Sequence, residues 1–203
     1  MATIVTSLVS PPLNSAWLRG RLIGALICGT FGAVWMFEAL FFGGIATPLS
    51  LTTTAMLAIA FVAWPVIRLR SFPRFEYSTA DRKRWAAITV PYWTNAGIEW
   101  LLCFGAAGWL AHIHQYSLIP QCLGAIIGLH FLPLGKMFRS PVYYLTGAAL
   151  VLGALASLAI PAGHLRNIAA CSVDGLSLWA TATVLLCHGW LSSIEEEIRK
   201  GIA

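Results

Sequence analysis

Apolar residues run through this chain in long blocks separated by short polar connections. A helix that spans a bilayer needs about 20 mostly apolar residues. Six blocks qualify, covering roughly 21–44, 49–67, 85–110, 117–134, 142–162 and 173–191. The fourth and sixth are near the short end of the range. The pattern predicts an all-α membrane protein: a single transmembrane domain over 1–203 built as a bundle of six helices.

The basic residues orient that bundle. Arg19 and Arg21 precede the first block. Arg68, Arg70, Arg74, Arg82, Lys83 and Arg84 fill the second connection, Lys136 and Arg139 the fourth, and Arg199 and Lys200 follow the sixth block. All of these fall on one side of a six-span arrangement, and only Arg166 falls on the other. Cytoplasmic connections carry the excess of Lys and Arg, so both termini are expected inside. A five- or seven-span arrangement would scatter the same charges over both faces.

Composition agrees. The chain has 203 residues, of which 58% are hydrophobic and only 10% charged, with mean hydropathy +0.76. Soluble domains carry about 25% charged residues, so a soluble domain and a disordered chain are both excluded. The formal net charge of +5 then reads as topology and anionic-lipid contact rather than nucleic-acid binding. Cys28, Cys103, Cys122, Cys171 and Cys187 form no C-x-x-C pair, which argues against a zinc knuckle or a disulfide framework. Residues 1–16 hold Pro11-Pro12 and no basic start, and the apolar run after Arg21 is too long for a signal-peptide core, so it reads as an uncleaved span. A bacterial inner membrane is the expected setting.

The one sizeable connection, Arg68–Arg84, mixes basic and aromatic residues. It reads first as a topology-setting loop and second as a site for anionic lipid head groups or a partner. It is too short for a nucleic-acid recognition fold.

Four ionisable residues fall inside the apolar blocks: Glu38, Glu99, His130 and His188. Such residues are expensive in a bilayer and are candidates for an ion or proton relay. Counting from Arg21 and Trp85 at about 1.5 Å per residue puts Glu38 and Glu99 in the outer half. Counting from Ser117 and Val173 puts His130 and His188 in the inner half. In the third block Tyr92, Asn95, Glu99 and Cys103 follow i, i+3, i+7, i+11 spacing, one stripe of a helix. That stripe is expected to line a cavity or the bundle interior. The plainer alternative is a structural hydrogen-bond cluster between helices. His130 and His188 also suit axial ligation of a b-type haem, although no cofactor is otherwise indicated.

A second group of metal-ligand types, His112, His114, His164, Cys171 and Asp174, is expected in the outer connections. Its spacing matches no zinc pattern, and exposed loop histidines explain it equally well. Pro65, Pro91, Pro120 and Pro133 fall in or at the ends of blocks, where they kink helices. Gly20–Gly24 and Gly124–Gly128 have small-xxx-small spacing, which fits internal packing or a homodimer. Glu99 and His188 take comparable places in the third and sixth blocks, as an inverted repeat would place them.

The segment GLHFLPLGKMFRSPVYYLTG, Gly128–Gly147, resembles uncharacterised small bacterial multi-pass integral membrane proteins with an H-F-x-P-L…F…P-x-Y-Y…G signature. The resemblance covers about a tenth of the chain and implies no activity. Physically, the segment reads as a helix ending at Pro133, a turn with Lys136 and Arg139, and a helix opening at Pro141 with Tyr143 and Tyr144 as interfacial anchors. Three function classes follow. The first is a small-solute transporter or permease, proton-coupled if Glu99 and His130 titrate. The second is a membrane-embedded enzyme or haem protein. The third is a non-catalytic assembly, immunity or regulatory subunit. No P-loop, G-x-S-x-G or H-E-x-x-H motif occurs, so the balance leans away from an enzyme.

Overall fold

The computed structural model describes residues 15–71, 79–138 and 140–202, with backbone alone at 15–18, 71, 80–82, 84, 85 and 188–202. All regular secondary structure among the described residues is helical. The elements are α1 (Ser15–Gly43), α2 (Pro48–Ser71), α3 (Thr79–His112), a 3₁₀ turn (Tyr116–Leu118), α4 (Ile119–Phe138), α5 (Pro141–Ser157) and α6 (His164–Ile202). Four stretches are long and apolar enough to cross a membrane: Arg19–Gly43, Pro48–Arg70, Tyr116–Phe138 and His164–Cys187. α5 is apolar but has only 17 residues, roughly 25 Å at the helical rise. α3 has 34 residues, and its charged first turns with Asn95 and Glu99 lower its hydropathy. The protein is an all-α membrane bundle.

The turns at the ends explain several boundaries. After α1, Gly44 takes φ +61°, while Ile45 N–H reaches back to Leu40 C=O at 3.2 Å. This is a left-handed C-terminal cap that glycine adopts without strain. Thr47 and Ser50 then exchange backbone–side-chain hydrogen bonds at 3.0 and 3.2 Å, a reciprocal cap that opens α2. α3 closes with the same turn geometry: His114 has φ 58°, and Gln115 N–H bonds Leu110 C=O at 2.8 Å.

α1 lies chiefly against α6 and α2, α4 against α5 and α3, and α5 against α6. Lipid tails are as apolar as leucine, so close packing rather than burial holds such helices together. Small residues make that approach possible. A Cβ on Gly32 would strike Trp179 Cδ1 at 2.5 Å and Gly175 O at 3.1 Å. A Cβ on Gly147 would lie 2.6 Å from Gly128 O. Trp179 fills the space that Gly32 leaves, while Gly29 admits Phe61 of α2; the indole N–H donates to Gly29 C=O at 3.1 Å, and the ring stacks on Phe61 at 5.4 Å. Gly24, Gly124 and Gly128 therefore serve packing inside the chain: Gly24 abuts Tyr143, Gly124 abuts Asp174, and Gly128 abuts Gly147.

Three expectations need correction. α4 runs through Pro133 to Phe138 rather than ending at the proline. Pro133 costs only the amide that would bond Leu129 C=O, and a bundle helix tolerates that loss with a kink. Tyr143 does not anchor at the interface; it is buried against Phe131 and Phe138, at 5.9 and 5.8 Å between ring centroids. α6 begins at His164, not near Val173. Polar residues in its first turns mask the helix in a hydropathy count.

Candidate functional site

α3 is the most exposed long helix of the bundle. Trp93, Ile98, Leu101, Phe104 and Trp109 all face outward. Its half-buried positions include Tyr92, Asn95, Glu99 and Cys103, the stripe expected from spacing. That stripe lies along α4. Tyr92 meets Phe138 edge-on at 6.4 Å. One turn further, Asn95 Nδ2 lies 2.9 Å from His130 Nδ1 and 3.3 Å from His130 C=O. One more turn along, Glu99 Oε2 lies 3.2 Å from the same His130 Nδ1. The carboxyl side chain is 19% exposed and the imidazole 11%.

Separate depths were expected for Glu99 and His130, and the structure brings them into contact. Glu99 is counted from the inner end of its block and His130 from the opposite end of a shorter one, 85–110 against 117–134, so the two depths share no origin. The count from Ser117 starts too far out, because α4 proper begins at Ile119. From His112 at the end of α3 and Ile119 at the start of α4, Glu99 and His130 lie roughly 20 and 16 Å along their helices. Both therefore sit at similar depth in the bundle.

The local chemistry follows from one nitrogen with two neighbours. Nδ1 either carries a hydrogen or accepts one. When it carries a proton, it donates to the Glu99 carboxylate. When it is bare, it accepts from the Asn95 amide or from a protonated Glu99. Asn95 also donates to the His130 carbonyl, which lies beside the carbonyl that Pro133 deprives of its amide. Asn95 thus holds both the ring and the backbone beside the proline. The arrangement can pass a proton between Glu99 Oε2 and His130 Nδ1, and the imidazole can release it from Nε2 on its other side.

No family model, curated protein or solved structure matches this chain. The site therefore has to be read from its own geometry.

The other candidates stand apart. Glu38 is exposed on α1 and joins no ion pair among the described residues. His188 lies on α6, with its side chain outside the described residues, so the pairing of two histidines on a haem rests on His130 alone. The five outer metal candidates do not assemble. Among the described residues no three His, Cys, Asp or Glu side chains converge. His112 is exposed and His114 forms the α3 cap. His164 Nδ1 lies 3.0 Å from Phe42 C=O at the end of α1. Cys171 and Asp174 are not in a loop at all; both are fully buried inside α6, because that helix starts early. Of the Arg68–Arg84 segment, 72–78 lies outside the described residues, while Arg68 and Arg70 form the last turn of α2.

A second polar seam escaped the reading of the sequence. Asn167, Asp174 and Thr181 are buried along α6 at heptad spacing. Gln121 of α4 donates to Asn167 Oδ1 at 3.3 Å, and the hydroxyls of Thr181 and Thr146 of α5 share a hydrogen at 2.5 Å. The i, i+7, i+14 recurrence of Asn, Asp and Thr was the available signal. His188 continues it by one more heptad in sequence.

Proposed function

We propose that this chain is a small proton-coupled transporter in which Glu99 and His130 form one proton-carrying unit at the α3–α4 seam. The observation that carries the reading is the 3.2 Å contact between Glu99 Oε2 and His130 Nδ1, mostly buried and oriented by Asn95. Intramembrane acid–histidine pairs are costly, and proton relays are among the few tasks that repay them. Tyr92 and Cys103 continue the same stripe and would line the route of a small solute.

The basic residues support six spans with both termini inside, in a bacterial inner membrane, with anionic lipid head groups near Arg68–Arg84. α3 is the element suited to move, since it rests mainly on α4. Hinging it away would open the Glu99–His130 pair to water.

The test is reconstitution of the whole chain in liposomes carrying an internal pH dye. A proton flux above that of empty liposomes under an imposed pH gradient is expected. Glu99→Gln should lower it at least tenfold, roughly 1.4 kcal/mol of barrier. A flux equal to that of empty liposomes in every tested solute and gradient would overturn the reading.

A further inference from the structure

A buried carboxylate without a donor is the least expected feature of the second seam. Asp174 has 0% exposure, and neither of its oxygens finds a hydrogen-bond donor among the described residues. Gln121, 4% exposed, is held with its amide N–H groups toward Asn167 Oδ1 and Arg166 C=O at 3.3 and 3.5 Å. That orientation leaves its carbonyl oxygen buried and also without a donor. Native interiors rarely leave acceptors in this state, and each case asks for an explanation.

The three oxygens belong to facing turns. Gln121 and Gly124 are one turn apart on α4, and the Asp174 carboxylate presses on Gly124, where any Cβ would collide with it. Glycine at 124 is therefore what lets the carboxylate reach the α4 side of the seam. Arg166, the nearest cation in sequence, turns its guanidinium Nε to Ile160 C=O at 2.8 Å. A buried water would supply donors but no charge, and an unneutralised carboxylate at this depth is strongly unfavourable.

We propose that Asp174 and Gln121 bind a small monovalent cation, sodium in chemical class, between α4 and α6. Hard oxygen ligands and tight space suit a small hard ion. The site is distinct from the proton-carrying pair. Gln121 and His130 are nine residues apart on α4, about two and a half turns, so they face opposite sides of that helix. Cation binding at Asp174 draws α4 and α6 together, whereas Glu99 and His130 govern the α3–α4 contact. α4 is the element the two sites share.

The test uses the purified full-length chain in detergent and follows thermal unfolding in sodium chloride against choline chloride at equal ionic strength. A ligand that binds only the folded state raises its midpoint in a saturable manner. Sodium is expected to raise the midpoint and choline to leave it unchanged. Asp174→Asn should abolish the sodium response. Gln121→Met, which keeps shape and loses the carbonyl, should raise the half-saturating sodium concentration about tenfold, and it decides the matter if Asp174→Asn does not fold. Glu99→Gln should keep the sodium response intact, which separates this site from the proton-carrying pair. Equal shifts in sodium and choline, an unchanged half-saturation in Gln121→Met, or loss of the response in Glu99→Gln would each overturn the proposal. The first of these results would leave a bound proton as the occupant of Asp174.

Discussion

Glu99 of α3 and His130 of α4 meet through a single atom pair, Oε2 and Nδ1, 3.2 Å apart. The same Nδ1 lies 2.9 Å from the Asn95 amide. One ring nitrogen thus has two partners of opposite character: a carboxyl group that can give or take a proton, and an amide N–H group that only donates. The protonation state of the pair and the position of α3 on α4 are linked through this atom.

Asn95 is accordingly a positioning residue. Asn95→Ala removes two hydrogen bonds and leaves Glu99 and His130 in place. Thermal unfolding should show a loss of about 1 kcal/mol. The proton flux should fall by roughly tenfold, equivalent to ~1.4 kcal/mol, with its pH profile altered. A flux and pH profile equal to those of the unmodified protein would show that Asn95 only packs.

Two helical glycines have opposite expected responses. Gly147→Ala puts a methyl 2.6 Å from Gly128 O and forces α4 and α5 apart, at a cost of about 1–3 kcal/mol. Gly105→Ala meets nothing within 4 Å and gains up to about 1 kcal/mol of helix propensity. Paired thermal unfolding measurements of the two variants check the packing directly, and equal responses would contradict it.

Much of this arrangement is legible in the sequence, because spacing survives without tertiary knowledge. Tyr92, Asn95, Glu99 and Cys103 recur with helical period, and their common face follows from that alone. What the stripe touches does not follow. Counting Glu99 from the inner end of one block and His130 from the outer end of a shorter one gives depths with no common origin, and so places the pair apart. Asp174 was hidden differently. His164, Arg166 and Asn167 depress the local hydropathy, so the first turns of α6 read as loop and a buried carboxylate reads as an exposed one. Pro133 reads as a terminus because proline disfavours helix interiors, yet Asn95 reinforces the backbone beside it. In each case the deciding interaction comes from another helix.

Topology is open to a chemical test. Single cysteines introduced at His114 and Lys83, both exposed, in a background with the five native cysteines replaced should lie on opposite faces of the membrane. An impermeant maleimide added outside intact cells should label the His114→Cys variant and spare Lys83→Cys. Labelling of both from outside would contradict six spans with the termini inside.

The most direct measurement is proton flux in proteoliposomes for the Glu99→Gln variant, the His130→Ala variant and the double variant. If the two residues act as one unit, each single change abolishes most of the flux and the double change costs no more than either alone. A flux that survives the double variant would contradict the account.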